Sequence, residues 1–307
     1  MTKENYILAR KIGVFDSGIG GLTVLKELNL LFPHDSFIYL GDTARLPYGT
    51  KSRETVIRYS ESLARVLSGF DVDAIVVACN TASTHALDAV TALVAPIPVI
   101  GMLEPAAKAA VLATRNHHVG VIATSGTIQS GGYARLLNQL DPQITVNSAA
   151  CQMLVALAEE GWTDSDDQIA RSILARYLDP IFDQSHAPDT LILGCTHFPV
   201  FSDIISDLLG DNVALINSGA AAAKSLAQQI GSGSSNAAPS GAERLRFFAT
   251  DDPARFVRNA TRFFDHQLDP KQVELIDVSY AASDDKARQA MSRLQNPSGQ
   301  SSTSTAV

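Results

Sequence analysis

Two cysteines stand at the ends of apolar runs and are followed at once by polar residues. One lies in "DAIVVACNTAST" (73–84) and the other in "DTLILGCTHFPV" (189–200). Each stretch opens on an acidic residue and continues as a short apolar run. A small residue, a cysteine and a threonine within two positions then follow. Cys79 and Cys195 are therefore matched. A thiol titrates near pH 8.5, so a small shift brings it into the neutral range. Two thiols, one ionised and one not, suit inversion at a carbon centre. One takes a proton from one face, the other delivers a proton to the opposite face, and the roles exchange in reverse. A lone cysteine in an apolar strand is ordinarily a small core residue, but two in the same context point to function. Cys151, in "NSAACQMLVALAEEG", lacks that context and reads as packing.

The thiols need elements to carry them. Strand-like runs fall near 11–15, 36–40, 73–78, 97–100, 118–123, 143–148, 189–194, 212–216, 244–249 and 273–278, with helical periodicity between them. In 52–70, Val56, Tyr59, Leu63, Val66 and Phe70 recur at three- and four-residue steps and form one apolar stripe. "AIVVA" and "TLILG" are apolar throughout, as strands covered on both faces are. The fold class is α/β, with mostly parallel sheets flanked by helices. "KIGVFDSG" (11–18) also resembles "HVGVIATSG" (118–126), so each cysteine run has a matching earlier strand. Two copies of one unit, related by a pseudo-twofold axis, would face their strand ends across a cleft. Ligands bind beyond the carboxyl ends of parallel strands.

Length and composition agree. The 307 residues suffice for two medium domains. A hydrophobic share of 46% and a charged share of 18% are ordinary for a globular protein. The formal charge of −8 argues against a nucleic-acid or anionic-membrane surface. No run is long enough for a membrane span, and the first residues hold no apolar stretch of the length expected of a signal peptide. Three cysteines without a pairing pattern suit free thiols in a reducing cytoplasm. "GSGSSNAAPSG" (231–241) reads as a flexible loop and 296–307 as a disordered tail.

Both thiols are expected just before a helix start, where backbone N–H groups favour a thiolate or a bound carboxylate. Asn80, Thr81 and Thr196 are residue types that hydrogen-bond at such turns. Asp16 ends the first strand, a position that lines the ligand crevice. "GIGG" (18–21) lacks the third glycine of a dinucleotide loop, since position 23 is Thr, and reads as a tight strand-to-helix turn. His197 lies two residues past Cys195, where its imidazole can tune or relay protons. His85, His117 and His118 read as structural or exposed. Three other readings compete: an acyl-transfer enzyme using Cys195 and His197, a two-lobed binding protein, and a Cys/His metal site.

The blocks "IGVFDSGIGGLTVLKEL", "YLGDTARLPYGTKS", "VVACNTAS", "PVIGMLEPA", "GVIATSGTIQSGGY", "LVALAEEGW", "LILGCTHFP" and "NSGAA" resemble the cofactor-independent glutamate racemases, in that family's order. "FFATDDPARFVRNATRFF" (247–264) is similar to the family's C-terminal element. The resemblance implies interconversion of L- and D-glutamate, with Cys79 and Cys195 as the acid/base pair, supplying D-glutamate for peptidoglycan. It implies no pyridoxal phosphate and no metal. It makes Asp16 a helper beside Cys79, and Ser17, Tyr48, Gly49, Thr124 and Thr127 substrate contacts. It puts Glu159, with His197, on the Cys195 side. Phe198 stands where the family commonly has tyrosine. Two α/β domains are expected, 1–101 with 218–307 and 102–217, and family members are often dimers.

Overall fold

The computed structural model describes residues 9–183, 185–231 and 244–278. The chain starts with β1 (Lys11–Asp16), α1 (Leu22–Leu31) and β2 (Ser36–Gly41). It continues through α2 (Arg53–Ser68), β3 (Ala74–Val77), α3 (Asn80–His85), α4 (Leu87–Val94) and β4 (Val99–Ile100). Then come α5 (Leu103–Ala113), β5 (His118–Ala123), α6 (Ser125–Gln129), α7 (Gly132–Leu140) and β6 (Thr145–Ala150). After α8 (Gln152–Glu160) and α9 (Gln168–Phe182) lie β7 (Thr190–Gly194), α10 (Ser202–Leu209), β8 (Ala214–Asn217) and α11 (Ser218–Ile230). The last described elements are β9 (Leu245–Ala249), α12 (Pro253–Ala260) and β10 (Val273–Leu275). Each of the ten expected strands is present. The 231–241 loop beyond Gly231 and the 296–307 tail lie outside the described residues.

Two parallel sheets result. The first runs β10-β9-β2-β1-β3-β4, the second β6-β5-β7-β8. The order β4-β3-β1-β2 in one is the order β8-β7-β5-β6 in the other, so the repeat seen in the motifs is also a repeat of topology. Register agrees to the residue. Gly13 pairs with Ile75, four residues before Cys79, and Gly120 pairs with Leu191, four residues before Cys195. The two thiols thus occupy equivalent places beyond equivalent strands.

The unbroken apolar runs follow from alternation between two cores. Ala74, Val76 and Ala78 face one core, and Ile75, Val77 and Cys79 face the other, all buried. The second core is closed by Leu63 and Leu67 of α2 and Val90 of α4. The first core is continuous between the sheets, because α11 packs on both α1 and α5. Full burial of each of the Val, Leu and Ile side chains contributes about 1.5–3 kcal/mol. The strand tips are thereby held on stiff supports. No described helix is long and apolar enough to cross a membrane.

Candidate active site

Cys79 caps the N-terminus of α3. Its sulfur accepts the Ala82 N–H at 3.5 Å and donates to Ser17 Oγ at 3.6 Å. Those contacts fit the expected helix-start setting, yet the consequence for the thiol is reversed. Burial, reinforced by the charge of Asp16, outweighs the Ala82 N–H and the Ser17 hydroxyl and pushes Cys79 up to about 12. Cys79 therefore rests as a neutral thiol in this closed site. Cys195 departs differently. No α-helix starts at Thr196: a 3-10 turn, Phe198–Phe201 with Pro199 in its first turn, intervenes before α10. Its partner is the His197 ring, with Sγ 3.8 Å from Nδ1.

His197 continues the chain. Its Nε2 lies 3.3 Å from Glu159 Oε1, at the last turn of α8, and Arg255 of α12 lies 3.6 Å from Oε2. Arg262 donates to the Glu159 carbonyl. Burial alone would lower the imidazole's pKa. Hydrogen bonds to Cys195 and Glu159, with the charges of Cys195 and Asp16, overcome burial and hold it at about 10. Burial likewise works against the Glu159 carboxylate, but His197 and Arg255 keep its pKa below the ordinary value. An unfolded imidazole loses its proton near 6.5. The His197 contribution to stability is thus complete below about pH 6.5 and fades as pH rises towards about 10. Thermal melts from pH 6.5 to 10 should show wild type losing stability more steeply than His197→Gln. Parallel slopes would contradict the assignment.

Asp16 is fully buried at the end of β1. Its Oδ2 accepts the Gly18 N–H at 2.9 Å, and Thr196 Oγ1 lies 3.5 Å from Oδ1. Burial raises its pKa against the pull of His197 and of the N–H groups of Gly21, Gly18 and Ser17. The "GIGG" turn is what lets these groups meet. A Cβ on Gly20 would fall 2.6 Å from Thr196 Oγ1 and into the His197 ring, so only glycine fits there.

Both thiols open into one cavity. Ser17, Gly49, Asn80, Thr81, Thr124, Thr196 and His197 line it with them, so both units contribute. The cavity has a volume of about 20 Å³, room for little more than a water. An amino acid needs more room than the site has in this structure. The closed contact is polar: Thr81 Oγ1 lies 2.9 Å from Thr124 Oγ1 and 3.2 Å from Thr127 Oγ1, and Thr23 donates to the Thr196 carbonyl at 2.8 Å. Thr127 sits behind Thr81 and Thr124, outside the lining. Cys151 is fully buried, and His85, His117 and His118 lie away from the lining.

Tyr48 does not bring its side chain to the cavity. The hydroxyl donates to Asp42, a buried carboxylate that also takes Arg45 Nε at 2.7 Å and Thr250 Oγ1 at 2.9 Å. A buried phenol needs a partner, and the one within reach lies beneath the loop. Tyr48 pins that loop so that Gly49 meets Thr124 across the gap. Tyr133, Ser218, Asp42 and Arg255 were not anticipated from the sequence. Their contacts reach far along the chain, 138 residues from Asn80 to Ser218 and 208 from Asp42 to Thr250, and no local motif marks them. Among the described residues, no three His, Cys, Asp or Glu side chains are arranged to hold a metal ion.

Two parallel α/β units with a thiol on each matching strand tip, meeting in a shared polar cavity, define a protein with a paired-thiol site between lobes. A family model for Asp/Glu/Hydantoin racemase matches residues 23–226, and the chain belongs to that family. It is 43% identical over 267 residues to the glutamate racemase of Geobacter metallireducens, covering 87% of this chain and 97% of that protein. The crystal structure of the Francisella tularensis glutamate racemase in complex with D-glutamate is similar at a TM-score of 0.78 and 35% identity. It covers 89% of this chain and 99% of that one. The Escherichia coli glutamate racemase, in complex with L-glutamate and the activator UDP-MurNAc-ala, gives a TM-score of 0.70 at 28% identity. The match covers 87% of this chain and 98% of that one.

Proposed function

We propose that this protein interconverts L- and D-glutamate by proton transfer at the α carbon, with Cys79 and Cys195 on opposite faces of the substrate. The observation that carries this reading is the register match that sends two equivalent thiols into one cavity. Relatives bound to each enantiomer of glutamate support the substrate.

Cys79, at rest a thiol, is the acid for one direction. Cys195 as thiolate takes the Cα proton, Cys79 gives its proton to the opposite face, and the reverse reaction uses the exchanged states. One proton leaves the carbon and one arrives, so the balance closes. The imidazolium of His197, held by Glu159, stabilises negative charge on Cys195. Burial is the larger cause that raises Cys79, and a substrate ammonium set beside Asp16 offsets the smaller one, the Asp16 charge, so binding lowers that thiol's pKa. The Asn80 amide and the Thr81 and Thr196 hydroxyls supply donors for the carboxylates. Residues 1–101 with 218–307 form one domain in this proposal and 102–217 the other, supported by the strand membership of the two sheets. The D-glutamate formed feeds peptidoglycan synthesis, as the resemblance implies.

Polarimetry tests the reaction. Pure L-glutamate and pure D-glutamate should both decay to zero rotation with purified protein and no added cofactor, and L-aspartate should keep its rotation. A lasting signal from either glutamate enantiomer would overturn the proposal.

A further inference from the structure

One hydrogen-bonded chain crosses the gap behind the cavity. Tyr133 Oη on α7 lies 2.7 Å from Asn80 Oδ1. Asn80 Nδ2 lies 3.3 Å from Ser218 Oγ at the start of α11, and Ser218 Oγ lies 3.2 Å from the Leu193 carbonyl on β7. Tyr133, Asn80 and Ser218 are all buried. The direction of each bond follows from the last one. A carbonyl only accepts, so the Ser218 proton goes to Leu193, and Ser218 Oγ must accept from Asn80. That puts the amide nitrogen towards Ser218 and the amide oxygen towards Tyr133, which donates. The raised pKa of the Tyr133 phenol, from burial and the charge of Cys195, keeps that donor protonated. Of the two Asn80 amide protons, one is spent on Ser218, and the other is left for the cavity that Asn80 lines.

We propose that Tyr133 and Ser218 are positioning residues that lock the Asn80 amide with one N–H presented to a carboxylate of the bound substrate. Without them the amide can flip and offer its oxygen, which repels a carboxylate. The inference rests on the proposed glutamate reaction. It adds a role for two residues that never touch the substrate, and the Leu193 carbonyl that fixes the chain lies two positions before Cys195.

A double-mutant cycle tests it on the full-length protein with glutamate. Tyr133→Phe and Ser218→Ala should each raise KM about tenfold, the scale of one well-placed hydrogen bond, with kcat within about twofold of wild type. Asn80→Ala should raise KM at least as much. In the Asn80→Ala background neither second change should add to KM, because both act through that amide. A merely structural role would persist in that background. Unchanged KM in the single variants, or additive effects in the double variants, would overturn the inference. If Tyr133→Phe does not fold, the Ser218→Ala cycle decides the matter alone. Failure of wild type to turn over glutamate is a separate result and sinks the parent proposal instead.

Discussion

Cys79→Ser and Cys195→Ser should each lower the rate of glutamate inversion by about three orders of magnitude, with the fold intact. The size follows from what a positioned acid or base contributes, on the order of 10²–10⁴-fold. A serine hydroxyl keeps the shape of the thiol but does not ionise in the range where the enzyme works. Both sulfurs sit in small buried sites, where an oxygen fits without collision, so circular dichroism and melting should change little. The two losses should not add. Once one face of the carbon lacks its group, inversion is already blocked, and removing the second leaves little more to lose. A single essential cysteine, with the other replaceable at less than tenfold cost, would point to acyl transfer at Cys195 and His197 instead.

Asp16→Asn should lower kcat/KM by about a hundredfold. The side chain keeps its shape, but the carboxylate that sits among Cys79, His197 and the Gly18 N–H, and that the proposal sets beside the substrate ammonium, is lost. An amide would also turn an N–H against the Gly18 donor unless it flipped. The effect must be equal in both directions. The equilibrium constant between enantiomers is one, so the ratio of the two kcat/KM values cannot move. Progress curves from L- and D-glutamate check both points. A loss of less than threefold would show that Asp16 is only a turn residue.

Much of this architecture was legible because it is local. Most strands are short apolar runs, and the matching of "AIVVACNT" with "LILGCTH" became a match of register once Gly13 and Gly120 found their partners. His197 was legible because it lies two residues from its sulfur. What stayed hidden depends on the environment or on distant contacts. The effect of burial on Cys79 cannot be read from a helix start, since desolvation and the Asp16 charge arise only when the sheet closes over them. Pro199 signals a break, yet the insertion of a 3-10 turn after Cys195 depends on how Phe198 and Phe201 enter the core. Tyr48 was expected as a contact only through the family resemblance, and the engagement of its hydroxyl by Asp42 could not be read from the loop. Glu159 was reached only through the family resemblance, because Arg255 and Arg262, which enclose it, lie about a hundred residues later in the chain.

The central claim is that two different sulfurs handle the proton on the two faces of one carbon. It is tested most directly by starting from pure protiated L-glutamate in deuterated water and stopping at a few per cent conversion. Mass spectrometry after chiral separation should find the new D-glutamate carrying deuterium at Cα and the recovered L-glutamate still carrying protium, with the mirror result from D-glutamate. Protium retained in the inverted product, or label entering substrate and product alike from the outset, would mean that one group serves both faces.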